Sequence, residues 1–131
     1  MVHGRHIKVV GYGVPALLGS VDRVRRFLEE LVPALGMRPL GEPILHDVAL
    51  DLSKMNVVEP FEDEGGVTGT VVLSTSHCAI HTWPARSFFI LDVFSCRDFN
   101  ASTVQDHLRQ AFEVSTHRTT DVSAALEPPP R

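Results

Sequence analysis

Residues 66–96 read GVTGTVVLSTSHCAIHTWPARSFFILDVFSC, and the patterning of this block decides the fold. Val67–Ser74, His77–Trp83 and Ser87–Cys96 are runs rich in β-branched and aromatic residues, so the block predicts three strands close together in the chain. Pro84-Ala85-Arg86 is the turn between the last two. The same block carries the densest group of reactive side chains: Ser76, His77, Cys78 and His81, with Cys96 at its end. A hydroxyl, an imidazole five residues later and a thiol twenty residues later form an unusual arrangement.

Upstream, residues 6–12 (HIKVVGY) predict a first strand, broken by Gly13-Val14-Pro15. Ser20 is placed to N-cap a helix, with Asp22 in its first turn where the dipole favours an anion. Val21, Val24, Phe27, Leu28, Leu31, Val32 and Leu35 make one apolar stripe, Gly36 stops the helix, and Pro33 falls in its last turn. Residues 43–51 (PILHDVALD) predict a second strand, followed by a polar surface connection to about Gly66, in which Glu62, Asp63 and Glu64 read as solvated. Downstream, Asn100 caps a second helix with the stripe Val104, Leu108, Ala111 and Phe112. Residues 113–121 predict a last strand, and the Pro-rich tail ALEPPPR is expected to fray. The sum is one α+β domain over 1–131: a two-layer sandwich with a mainly antiparallel sheet and two amphipathic helices on one face.

Net charge is −4 and the isoelectric point about 5.9, which argues against a nucleic-acid or anionic-membrane partner. No apolar run is long enough to span a bilayer, and MVHGRHIKVVGYG lacks the apolar core of a signal peptide. Two cysteines outside any CxxC motif fit free thiols in a cytoplasmic protein.

The reactive cluster has bland readings as well as sharp ones. On a helix, His77 and His81 would converge on one metal ion. On a strand they share a face but stand roughly 13 Å apart, so no metal site is expected. Cys78, beside Ala79 and Ile80, reads as a small core hydrophobe, while Cys96 ends a strand beside Arg97, a cation that favours the thiolate. Neither cysteine has the surroundings of a protease nucleophile. The residues alone reach a candidate site without a named reaction.

The block resembles the prokaryotic S-adenosylmethionine decarboxylases, a pyruvoyl-dependent family. Their pattern runs GVSG, a strand, ESHxxIHTWPE and DxFTCG. Here the corresponding residues are Gly66-Val67-Thr68-Gly69, Thr75-Ser76-His77-Cys78-Ala79-Ile80-His81-Thr82-Trp83-Pro84-Ala85 and Asp92-Val93-Phe94-Ser95-Cys96-Arg97, in register without a gap. Gly4-Arg5-His6 is similar to the family's opening. The resemblance implies self-cleavage between Thr75 and Ser76 into a β chain of 1–75 and an α chain of 76–131 that begins with a pyruvoyl group made from Ser76. It assigns His81 and Thr68 to this processing, and Cys96 to returning a proton after a Schiff base formed at the pyruvoyl has lost CO₂. It implies a homodimer with the site near or across the subunit boundary, and a place in spermidine and polyamine biosynthesis. Glu59, Phe61 and Arg97 are candidate substrate contacts.

The departures are Thr75 for Glu, Thr68 for Ser, Ala85 for Glu and Arg97 for Gly, together with a longer segment before Gly66. Two readings therefore stand beside S-adenosylmethionine: a pyruvoyl-dependent decarboxylase of another amino acid such as ornithine or arginine, and an unprocessed paralogue that acts only as a binding or regulatory partner.

Overall fold

The computed structural model describes residues 4–55 and 65–131. Six strands form one antiparallel sheet: β1 (Arg5–Tyr12), β2 (Ile44–Asp47), β3 (Val67–Leu73), β4 (Ser76–Trp83), β5 (Phe88–Ser95) and β6 (Thr116–Asp121). Their spatial order is β2-β3-β4-β5-β1-β6, so the first strand lies between the fifth and the last. The three strands expected from residues 66–96 lie side by side. Helices α1 (Pro15–Leu18), α2 (Val21–Ala34) and α4 (Ala101–Phe112) cover one face, and α3 (Val48–Lys54) follows β2.

Helix α2 begins where Ser20 Oγ accepts the Arg23 N–H at 3.1 Å. It ends in a Schellman arrangement, with Gly36 at φ +72° and the Met37 N–H donating to the Val32 carbonyl at 3.1 Å. Its buried stripe of Val24, Phe27, Leu28, Leu31 and Val32 packs on the sheet, each side chain worth about 1.5–3 kcal/mol over exposure. Helix α4, capped by Asn100 through the Ser102 N–H, adds Val104, Leu108 and Phe112 to the same core, where Phe112 meets Phe27 and Phe89.

Two expectations are corrected. The second strand stops at Asp47, because the Asp47 carboxylate accepts the Leu50 N–H at 3.1 Å and caps α3. The last strand starts at Thr116, because Glu113 at φ +49° closes α4 first. Just before the Pro-rich tail, Ser123 Oγ accepts the His6 N–H at 2.9 Å.

The other face of the sheet is open. Strand alternation places His6, Lys8, Val10 and Tyr12 of β1 there, with His77, His81 and Trp83 of β4 and Phe88, Ile90, Asp92 and Phe94 of β5. Tyr12 and Val72 are 52% and 54% exposed on this face, and α1, α2 and α4 all lie on the opposite side.

Candidate active site

The four residues Gly66-Val67-Thr68-Gly69 each do something different. A side chain on Gly66 would place its Cβ 1.9 Å from the Thr82 carbonyl oxygen, and its φ is +157°. Val67 is buried, and its N–H donates to Thr82 Oγ1 at 2.9 Å, while that hydroxyl donates to the Leu18 carbonyl at 2.8 Å. Thr68 faces the open side and its Oγ1 lies 3.0 Å from His81 Nδ1. Gly69 faces the helices, where a Cβ would strike Leu45 at 2.8 Å and Leu28 at 3.0 Å.

A different end of β4 carries Ser76. The β3–β4 turn consists of Ser74 and Thr75, closed by the Leu73–Ser76 pair. Ser76 Oγ accepts the backbone N–H of Cys96 at 3.0 Å. Both residues line a cleft of about 560 Å³ with Leu35, Met37, Arg38 and Arg97. The Thr75 and Ser76 hydroxyls beside it, assisted by the charge of Arg97, hold the Cys96 thiol below its ordinary value. Asp98 also borders the cleft, but Arg5 pairs with it and keeps it ionised below the usual carboxylate range. Ser95 is buried and its Oγ accepts the Arg97 N–H at 3.0 Å, which fixes the turn after β5.

The expected site residues therefore fall into two groups. Ser76, Cys96 and Arg97 come together at one cleft, with the Thr75 hydroxyl acting on Cys96 from beside it. Thr68 and His81 pair with each other at another, bordered by Val48, Gly66 and Trp83. His81 is five residues from Ser76 along the strand, about 16 Å at roughly 3.3 Å per residue, and odd spacing puts it on the opposite face. Glu59 and Phe61 lie outside the described residues. Cys78 is fully buried and its thiol is pushed up to about 12 by desolvation, which agrees with the inert reading. Among the described residues no group of three or more His, Cys, Asp and Glu could hold a metal.

A family profile described as S-adenosylmethionine decarboxylase matches residues 5–124. The chain belongs to the S-adenosylmethionine decarboxylase family. Among its relatives is the S-adenosylmethionine decarboxylase proenzyme of Archaeoglobus fulgidus, 36% identical over 99 residues that make up 75% of each chain. That of Thermococcus kodakarensis is 25% identical over 95% of this chain and 78% of its own. The crystal structure of the adenosylmethionine decarboxylase from Aquifex aeolicus shares the fold, with a TM-score of 0.71 at 23% identity over 93% of this chain and 90% of that one.

Three further polar residues, Arg5, Asp92 and Arg38, were not singled out as site residues in the sequence. Arg5 clamps Asp98 and, at 2.6 Å, Asp121, joining the segment after Cys96 to β1 and β6. Asp92 on the open face receives His6 at 2.8 Å, His77 at 3.0 Å and Lys8 at 3.1 Å. Arg38 reaches the cleft from the loop after α2, and its carbonyl accepts the Ser74 N–H at 3.2 Å. Only the Gly4-Arg5-His6 opening and the Asp92 of the closing motif carried a signal for the first two. Nothing marked Arg38.

Proposed function

We propose that this chain is a self-processing, pyruvoyl-dependent S-adenosylmethionine decarboxylase that is completed as a homodimer. The observation that carries this reading is Ser76, held by the Cys96 N–H on the floor of an open cleft, directly after a two-residue turn. In processing, the Ser76 hydroxyl adds to the Thr75 carbonyl carbon, the peptide C–N bond breaks, and the proton ends on the Ser76 nitrogen. This leaves an ester. Removal of the Ser76 Cα proton then expels Thr75 as a carboxylate, and the dehydroalanine left behind takes up water and releases ammonia. The products are a β chain of 1–75 and an α chain of 76–131 with a pyruvoyl group at its start.

The base for that proton is His81, and Thr68 orients it through the 3.0 Å contact at Nδ1. Within one chain the pair lies about 16 Å along the strand from Ser76, on the other face, so it acts on the Ser76 of a second copy.

Position 76 fits the group: its side chain already points into a cleft large enough for a nucleoside-bearing amino acid. The pyruvoyl carbonyl supplies an electrophile that captures the substrate amine and takes up the electron pair as CO₂ leaves. Cys96 donates its thiol proton to the substrate carbon that has lost CO₂. Arg97, lining the same cleft, receives the substrate carboxylate. The product is the aminopropyl donor used in spermidine synthesis. Intact mass of purified protein, with Ser76→Ala as control, tests the first half: two fragments from the Thr75–Ser76 junction and an uncut control are expected. Release of labelled CO₂ from carboxyl-labelled S-adenosylmethionine tests the second. A chain that stays whole after long incubation overturns both.

A further inference from the structure

Thr75 has a φ of +54°. The other described non-glycine residues with positive φ are Ser87 and Glu113, and neither is branched at Cβ. The left-handed region is open to glycine and tolerated by asparagine, but a β-branched side chain there collides with its own backbone. A two-residue turn with a left-handed second position ordinarily carries Gly or Asn. This chain carries Thr, and carries it at the bond proposed to break.

The surroundings over-determine that conformation. The Leu73–Ser76 pair closes the turn from below. The Ser74 N–H is committed to the Arg38 carbonyl, and Pro39 bridges to Leu73 on the outer edge of β3. Ser76 Oγ is anchored by the Cys96 N–H. Thr75 Oγ1 donates to the Ser74 carbonyl at 2.7 Å, so even the side chain is held within the turn. Strained residues persist where neighbours on every side fix them.

We infer that Thr75 is a rate-setting residue for self-cleavage, because its left-handed conformation stores strain that ester formation releases. This rests on the self-cleaving reading above. The acyl shift breaks the Thr75 C–N bond and forms C–Oγ, with the hydroxyl proton passing to nitrogen. No further reactant is needed. Between the Thr75 carbonyl carbon and the Ser76 Cα, the peptide places one atom, N. The ester places two, Oγ and Cβ. The turn gains an atom at its tightest point, and Thr75 can leave the left-handed region. The strain is present in the amide and absent in the ester, so it lowers the barrier between them.

The test uses four variants at position 75, each made as fresh precursor by pulse-labelled cell-free translation and followed to the two fragments. Thr75→Asn and Thr75→Gly, which are at ease at positive φ, are expected to cleave about tenfold more slowly than the parent. Thr75→Val keeps the branch without the hydroxyl and is expected to cleave several-fold faster than Thr75→Asn, with Thr75→Ser in between. In an uncleavable Ser76→Ala background, Thr75→Asn is expected to raise the melting temperature by several degrees and Thr75→Val to give no such gain. Equal rates for Asn and the parent overturn the inference. So does a Val variant as slow as Asn, which would assign the effect to the hydroxyl, and so does the absence of a melting-temperature gain. A parent chain that never cleaves while Asn still raises the melting temperature overturns the rate-setting role through the self-cleavage reading, leaving the strain itself measured.

Discussion

At the scale of the residue, the two thiols are separated by environment and not by sequence. Cys78 is fully buried beneath the sheet, with its thiol near 12, while Cys96 borders the cleft and is lowered by its hydroxyl neighbours and Arg97. Alkylation by iodoacetamide across a pH series, mapped by mass, is expected to modify Cys96 with a midpoint below 9.0 and to leave Cys78 untouched until the chain is unfolded. Replacing Arg97 by Ala is expected to move that midpoint upward, since one cation that favours the thiolate is gone. The hydroxyl–imidazole pair on the open face makes a second case. Thr68→Val removes the contact to His81 and is expected to slow fragment formation, with Thr68→Ser restoring it. The sequence marked Ser76, Cys96, Thr68 and His81 as reactive types in a specific pattern. It could not mark Arg38, because a lone arginine in a loop has no pattern, and only the chain's return beside Ser74 gives it a place.

At the scale of the element, the block 66–96 was legible because alternation, a proline-led turn and small intervals all agree on antiparallel strands. Residues 43–51 were not. Four strand-like residues run directly into seven helical ones, and the switch is a single Asp47 whose side chain caps the new helix. Asp47→Ala is expected to lower stability by about 1 kcal/mol, read from urea melts, as a lost cap. Gly69→Val tests the packing of α2 on β3. Its Cβ would meet Leu45 at 2.8 Å and Leu28 at 3.0 Å, and an overpacked core loses about 1–3 kcal/mol or more. A third element-scale test concerns Asp92, which ties β1 to β4 and β5. Burial pushes its carboxyl up, but hydrogen bonds from His77, His6 and Lys8 outweigh burial and hold it below 3.8. A carboxylate lowered on folding contributes stability above about pH 4 and loses it as pH falls through the native value. Asp92→Asn is therefore expected to destabilise the chain at neutral pH and to converge with the parent in acid, as followed by circular dichroism.

At the scale of the whole molecule, the division of the site between two faces was invisible to motif reading. The spacing of Ser76 and His81 looks local in the chain, and only strand parity and distance separate them. If a second copy supplies the missing half, a Ser76→Ala chain and a His81→Ala chain should rescue one another. Mixed during expression, the His81→Ala chain is expected to be cut, because its Ser76 meets an intact His81, while either variant alone stays whole. The strand order carries a further consequence for the cut molecule. A break after Thr75 assigns β1, β2 and β3 to one fragment and β4, β5 and β6 to the other. Across the sheet these fragments interleave: the first owns β2 and β3, the second β4 and β5, then β1 returns before β6 closes the edge. Three ladders, between β3 and β4, β5 and β1, and β1 and β6, become seams between separate polypeptides. Pulling the pieces apart would mean sliding β1 out from between two neighbours, which is global unfolding. The covalent bond at the turn is thus redundant for cohesion, and the processed protein should elute as one body under native conditions and fall into two only in denaturant.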